Sequence, residues 1–295
     1  MKATESDTLT LEQHRRFYSE EIRAVANIAS PALVAAFAKV QREKFLGPAP
    51  WQIAGELFLN QSGYQTTNDP RDVYHNVVIA LKRSQNLNNG QPSALASWIA
   101  ALDLASGVRV FHVGCGTGYY SAIMSEVTGS AGSIIAAEVD PDLAAQAAGN
   151  LREYANATVH NRDGATMDPG PCDAILINAG VTHPHPPWLH TLKEAGRIVL
   201  PLTVATSPGS GKGLMVKITR RHDRFAAEVV SMVAIYSSTS VRDPGIEPLL
   251  NRAFKSRDLL KLKSVRFDGH EQTDTCIVHS PNVCLSAAAV EPTEP

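Results

Sequence analysis

From Pro92 onward the chain alternates short apolar runs with helical stretches, and that alternation narrows the possible folds more than any other feature. Runs at 109–113, 133–137, 157–161, 173–178 and 196–202 are each rich in Val, Ile, Leu or Ala. Strands this uniformly apolar need cover on both faces, which the intervening helices supply. The expected fold class is therefore α/β, a doubly wound and mostly parallel sheet. The clearest helix spans 141–154. Asp140 is its N-cap, and Pro141 takes the first helical position, where a missing N–H costs nothing.

Upstream, Thr10 followed by Gln13 reads as a capping box, and Phe17, Ile22, Val25, Ala26 and Ala29 follow a helical stripe. Ser30-Pro31 opens a second helix through Leu33, Val34, Phe37 and Val40, which Gly47-Pro48-Ala49-Pro50 stops. A loop-rich region is expected from there to about Gln91. Downstream of Gly213 the pattern turns to hairpins: 214–219 and 225–236 flank a short basic turn at Arg220, Arg221, His222 and Arg224. The segments 264–267 and 275–279 are expected to form a later strand pair. This gives an N-terminal helical and substrate-side region at 1–91, a nucleoside-binding domain at 92–236 and a C-terminal extension at 237–295.

The formal charge of -2 supplies no cationic excess to draw nucleic acid or an anionic membrane surface, so small molecules or polypeptides are the expected partners. Cys115, Cys172, Cys276 and Cys284 contain no C-x-x-C pair and are too scattered for a disulfide scaffold. No run approaches the ~20 apolar residues that span a bilayer, and the N-terminus has no apolar leader. A soluble, cytoplasmic protein is expected.

The chemistry concentrates at strand ends. The first strand of the alternating region runs straight into Val113-Gly114-Cys115-Gly116-Thr117-Gly118, where glycine lets a ligand edge approach the backbone. A dinucleotide fingerprint would carry its third glycine at Tyr119 rather than Gly118, so the spacing favours adenosylmethionine over a pyrophosphate cofactor. Glu138 ends the second strand, where a carboxylate can accept from both ribose hydroxyls. Asp163-Gly164 follows the third, placed to accept from an adenine amine. Open α/β sheets bind ligands along this edge, and three coincident signals there weigh more than any one. Gly209-Ser210-Gly211-Lys212-Gly213 lacks the Ser or Thr of a phosphate loop and reads as a connection.

Val113–Gly118, Glu138, Asp163-Gly164, 173–180 and 197–201 together resemble the successive motifs of protein-L-isoaspartate O-methyltransferases. Ile177-Asn178-Ala179-Gly180 is similar to that family's Thr-Ala-Gly segment and places Asn178 in both the cofactor and the catalytic set. The resemblance implies a seven-stranded methyltransferase sheet with S-adenosylmethionine as cofactor. It also implies O-methylation of a carboxylate on a peptide, protein or small molecule. One element departs: where the family carries Thr-Ile-Ser before a proline, this chain has Asn88-Asn89-Gly90-Gln91-Pro92, with Gly90 at the serine position. Asn88, Asn89 and Gln91 are then the candidates for orienting the acceptor, and little activity on isoaspartyl peptides is expected.

A carboxylate acceptor is already ionised at neutral pH and needs position rather than a base. An amine or hydroxyl acceptor would need one, and His183 and His185 in a proline-stiffened loop after the fourth strand are the nearest candidates. Those two histidines lack a third ligand at recognisable spacing, so no metal is assigned. The competing readings are a non-catalytic binder of adenosylmethionine or adenosylhomocysteine and an NAD-dependent oxidoreductase.

Overall fold

The computed structural model describes residues 9–55, 63–85 and 87–290, and the chain divides into two compact units, Met1–Ala100 and Ala101–Pro295. In the first unit, α1 (Leu11–Val25) opens with the expected capping box. Thr10 Oγ1 accepts from the Gln13 N–H at 3.2 Å, and Gln13 Oε1 accepts from the Thr10 N–H at 2.7 Å. Ser30 likewise caps α2 (Pro31–Lys39). Tyr18 and Ile22 of α1 and Leu33 and Phe37 of α2 are buried.

The expected loop-rich region is instead a small antiparallel sheet in the order β2-β1-β3-β4, formed by β1 (Trp51–Ala54), β2 (Gln65–Thr67), β3 (Val78–Lys82) and β4 (Leu87–Asn88). Strands of two to five residues are too short to show the period-2 alternation that identifies a strand. Arg42, with no solvent exposure, ties this unit together. Its guanidinium donates to the carbonyls of Val73 at 2.8 Å, His75 at 3.1 Å and Val77 at 2.8 Å, and to Asn89 Oδ1 at 2.8 Å. A buried guanidinium persists only when its fork of donors is matched in this way. Helix α3 (Pro92–Ala101) follows.

The second unit carries the alternating pattern. Its elements are β5 (Arg109–Val113), α4 (Tyr119–Thr128), β6 (Ser133–Glu138), α5 (Pro141–Asn150), β7 (Ala157–Asn161), β8 (Cys172–Ile177), α6 (Pro186–Thr191), β9 (Leu192–Ser207), β10 (Ser210–Arg221), β11 (Arg224–Tyr236), α7 (Ile246–Lys255), β12 (Ser264–Arg266), β13 (Cys276–His279) and β14 (Cys284–Ser286). They build one ten-stranded sheet in the order β13-β14-β12-β11-β10-β9-β8-β5-β6-β7. The strands from β9 to β7 pair in parallel, and β10 and β11 add antiparallel neighbours. The doubly wound α/β class and its seven-stranded core, β11 to β7, are as expected, and β12, β13 and β14 extend that core at one edge.

Two local expectations need correction. Helix α5 ends at Asn150 rather than at Tyr154: Leu151 is its C-cap, just after Gly149, which weakens the last turn. The strands near 264 and 276 do not pair with each other. The sequence reading missed β14, which sits between them.

The sheet interior is mostly apolar: Phe111, Ile175, Ile177, Ile198, Leu200 and Val216 have no solvent exposure, and His112 and Thr203 are buried among them. The chain leaves β5 toward β6 and β7 on one side and returns through β8 and β9 on the other. The carboxyl ends of β5 and β8 therefore flank the point where strand order reverses, the position at which open α/β sheets bind ligands.

Candidate active site

Every expected cofactor residue lies in the second unit, at or just beyond the carboxyl ends of β5, β6, β7 and β8. The turn after β5 is held in an unusual backbone path: Gly114, Gly116 and Gly118 have φ of 76°, 56° and 90°. Only glycine adopts these values without strain. The Gly114 and Cys115 N–H groups donate back to the Ala137 carbonyl at 2.8 and 3.2 Å, and Gly118 caps α4. A Cβ on Gly114 would lie 3.3 Å from the Asn178 carbonyl oxygen. The strand-ending turns of β5 and β8 thus touch through backbone, and the Asn178 N–H donates to the Val113 carbonyl at 2.8 Å. Asn178 Nδ2 reaches the Gly114 carbonyl at 3.4 Å.

Glu138 is the electrostatic centre of the turn. It is 7% exposed, its Oε2 accepts from the Gly116 N–H at 2.8 Å, and its Oε1 accepts from the Asp140 N–H at 3.0 Å. Burial pushes its carboxyl above the ordinary range, and the backbone N–H groups of Asp140, Gly116 and Val139 pull against that shift. A carboxylate offers about four acceptor positions. With backbone N–H groups already on it, Glu138 keeps limited acceptor capacity toward the strand-end edge. Beneath the turn, burial drives the fully buried His112 imidazole down to about 3, and its Nδ1 meets Ser121 Oγ at 2.8 Å. Cys115 is inert: burial and the nearby Glu138 carboxylate push its thiol up.

Asp163 and Gly164 prove to have structural partners as well. Asp163 Oδ1 accepts from the Ala165 N–H at 2.9 Å, and Trp188 Nε1 donates to the Gly164 carbonyl at 2.9 Å. A Cβ on Gly164 would fall 2.6 Å from Val113 Cγ1, so this glycine lets the loop after β7 close on the last residue of β5. Thr117 is buried, with its carbonyl taken by Asn150.

The histidine loop is anchored rather than free. Thr182 Oγ1 contacts His183 Nδ1 at 3.0 Å and accepts from the Asp243 N–H at 2.8 Å. Burial lowers the His183 pKa, Asp243 opposes that, and His185 adds to it. His185 Nε2 contacts the Ala165 carbonyl at 3.1 Å, with its ring edge-on to Trp188. The sequence reading missed the segment behind this loop. Arg242 donates to the Gly180 carbonyl at 3.3 Å and to Thr203 Oγ1 at 3.0 Å and pairs with Glu247 at 2.6 Å. No sequence motif marks Arg242 or Asp243, because their roles arise only when 237–243 folds back beside β8.

The remaining acceptor candidates belong to the first unit. Asn89 is turned inward: its Oδ1 accepts from Arg42, its N–H donates to the Ile79 carbonyl at 2.8 Å, and its Nδ2 is buried without a partner among the described residues. Asn88 Oδ1 accepts from the Gly90 N–H at 2.8 Å, and Gly90 has φ of 75°. The residue at the family's serine position therefore has a backbone conformation that disfavours serine. Away from His183 and His185, the ligand atoms of His270, Cys276, His279 and Cys284 all lie within 4.8 Å of one another at the C-terminal strands.

The comparisons with known proteins agree with this fold. The family model described as protein-L-isoaspartate(D-aspartate) O-methyltransferase matches residues 15–238. Protein-L-isoaspartate O-methyltransferase 1 of Nitrosospira multiformis is 31% identical over 188 residues, covering 62% of this chain and 70% of that protein. Protein-L-isoaspartate O-methyltransferase 2 of an Anaeromyxobacter species is 28% identical over 215 residues, covering 72% and 77%. Among solved structures, a protein-L-isoaspartate O-methyltransferase shares the fold with a TM-score of 0.57 at 20% identity, over 83% of this chain and 70% of that one. The Plasmodium falciparum protein described as a putative member, solved with S-adenosyl-L-homocysteine, aligns with a TM-score of 0.58 at 16% identity, over 76% and 98%. The family-model match over residues 15–238 covers most of the chain and decides the family. The chain belongs to the protein-L-isoaspartate(D-aspartate) O-methyltransferase family and is an S-adenosylmethionine-dependent methyltransferase.

Proposed function

We propose that the chain transfers a methyl group to a carboxylate oxygen of a peptide or protein, and that isoaspartyl groups are poor acceptors for it. The observation that carries the first half is the family match over 15–238, and Gly90, with its positive φ, carries the second. The cofactor supplies an electrophilic sulfonium methyl. In this reading Glu138 holds the ribose hydroxyls, the Gly114–Gly118 turn gives the nucleoside close backbone contact, and Asn178 lines the edge where β5 and β8 diverge. Asp163 is assigned to the adenine side on its position after β7. Attack by a carboxylate needs no proton removed, since its ordinary pKa of ~4 leaves it ionised at neutral pH. Orientation and exclusion of water are then the protein's main contributions. His183, kept neutral by burial, is proposed as a wall of the acceptor site that can take a proton if the acceptor is not a carboxylate. Asn88 and Gln91 are proposed as acceptor-binding side chains on the family resemblance. Asn89 supports them through Arg42.

The test is transfer of tritiated methyl from S-adenosylmethionine to a peptide panel containing aspartyl, isoaspartyl and C-terminal carboxylates, followed by mild alkali. Carboxyl methyl esters release volatile methanol, whereas methylated amines do not. Alkali-labile label on aspartyl or C-terminal peptides, with little on isoaspartyl ones, is the expected result. Alkali-stable label, or turnover on isoaspartyl peptides above all others, would overturn the reading.

A further inference from the structure

Four side chains at the far edge of the large sheet match no part of the methyltransferase chemistry. His270 precedes β13, Cys276 and His279 lie within it, and Cys284 begins β14, paired directly with His279. Residues i and i+3 of a regular strand point to opposite faces, yet Cys276 and His279 converge. The register irregularity between Cys276 and Val278 supplies the missing half-step. Cys276 Sγ lies 3.7 Å from His270 Nε2, and the His270 and His279 rings meet edge-on with centroids 4.9 Å apart. Cys284 is 1% exposed.

We propose that His270, Cys276, His279 and Cys284 form a closed tetrahedral site for zinc that fastens the C-terminal strands to the sheet. With metal–ligand bonds of about 2.0–2.3 Å, a tetrahedron sets its donor atoms roughly 3.4–3.8 Å apart. The 3.7 Å pair already meets that spacing, and the full spread of 4.8 Å closes with side-chain adjustment. Two thiols and two imidazoles suit a borderline-soft ion and exclude the oxygen-seeking calcium and magnesium. Four protein ligands leave no open position, which marks a structural rather than a catalytic centre.

The surroundings independently point to a bound cation. His270 Nδ1 contacts the Asp268 carbonyl at 2.9 Å, which fixes the tautomer that leaves Nε2 bare toward Cys276, and Arg266 Nε holds the Asp268 carboxylate at 3.0 Å. Metal-ligating histidines are oriented by second partners of this type. The Thr273 N–H donates to Cys276 Sγ at 3.3 Å, as backbone donors do to a thiolate. His279 Nδ1 is buried with no hydrogen-bond partner among the described residues, an arrangement that costs free energy unless something fills it. The spacing H-x5-C-x2-H-x4-C alternates ligand types around a turn, so a search for C-x-x-C pairs does not find it.

The experiment uses the full chain, purified under reducing conditions from zinc-supplied cells. About one zinc per chain by mass spectrometry is expected. After chelation, titration with cobalt(II) should give the visible bands of a tetrahedral thiolate site at one equivalent, displaced by zinc. Cys276→Ser and His270→Gln should each lose most of the bound zinc and weaken the cobalt bands, with S-adenosylhomocysteine affinity unchanged. Zinc-free protein with no cobalt bands, a Cys276–Cys284 disulfide in the reduced preparation, or bands unchanged in Cys276→Ser would overturn the proposal. The wild-type cobalt titration decides even if a variant fails to fold.

Discussion

Gly116 is a position where a backbone requirement meets the proposed cofactor contact: it has a φ of 56° and its N–H donates to Glu138 at 2.8 Å. A β-branched side chain at such a φ costs about 1–3 kcal/mol. Gly116→Val should therefore weaken S-adenosylmethionine binding by roughly ten-fold or more while the circular dichroism spectrum stays native. Unaltered affinity by calorimetry would remove Gly116 from the site. His112 makes a pH prediction. Its folded pKa of about 3 lies below the ordinary imidazole value, so the unfolded chain binds the extra proton between the two values. The stability His112 contributes is fully present above pH ~6.5 and is lost as pH falls through that window, at about 1.4 kcal/mol per pH unit. Denaturant unfolding at pH 7 and pH 5 should show a loss of about 2 kcal/mol in the wild type that His112→Asn lacks. Parallel losses in the two proteins would assign the acid sensitivity to other groups.

At the scale of elements, the closing of the loop after β7 onto β5 depends on Gly164. A methyl there would meet Val113 Cγ1 at 2.6 Å, so Gly164→Ala should cost about 1–3 kcal/mol and lower the melting temperature by several degrees. No change in melting would mean that the loop accommodates a side chain. The five parallel strands could be read from the sequence because each is a short apolar run bounded by glycine, proline or an Asx cap. Strands β5 and β7 matched to the residue. The small sheet of the first unit was hidden because strands as short as Leu87–Asn88 carry no period. The C-terminal strand order was hidden because pairing of β12 with β14 is a long-range choice that local pattern does not encode. The glycine turn after β5 was legible for a matching reason: glycine spacing records a backbone conformation directly. The roles of Arg242, Asp243 and the buried Arg42–Asn89 contact were not, since each depends on residues distant in sequence.

For the whole molecule, Asn88, Asn89 and Gln91 belong to the unit Met1–Ala100 and the residues proposed to hold the nucleoside belong to Ala101–Pro295. Arg42→Ala should leave its carbonyl partners unsatisfied and destabilise the first unit by about 3–5 kcal/mol. The expected signature is an early melting transition and lost acceptor turnover, with S-adenosylhomocysteine affinity kept. Equal loss of cofactor binding would show that the cradle depends on that unit. Among the described residues no helix is long and apolar enough to cross a membrane. The central claim is that the tips of β5, β6, β7 and β8 hold a sulfonium nucleoside through Glu138. Calorimetric titration of the wild type and Glu138→Gln with S-adenosylhomocysteine and with NAD tests it most directly. One molecule of S-adenosylhomocysteine per chain, no measurable NAD binding, and at least about ten-fold weaker binding in Glu138→Gln are expected, because the amide removes a charged acceptor worth roughly 1.5–3 kcal/mol. Equal affinity in the variant, or preference for NAD, would contradict it.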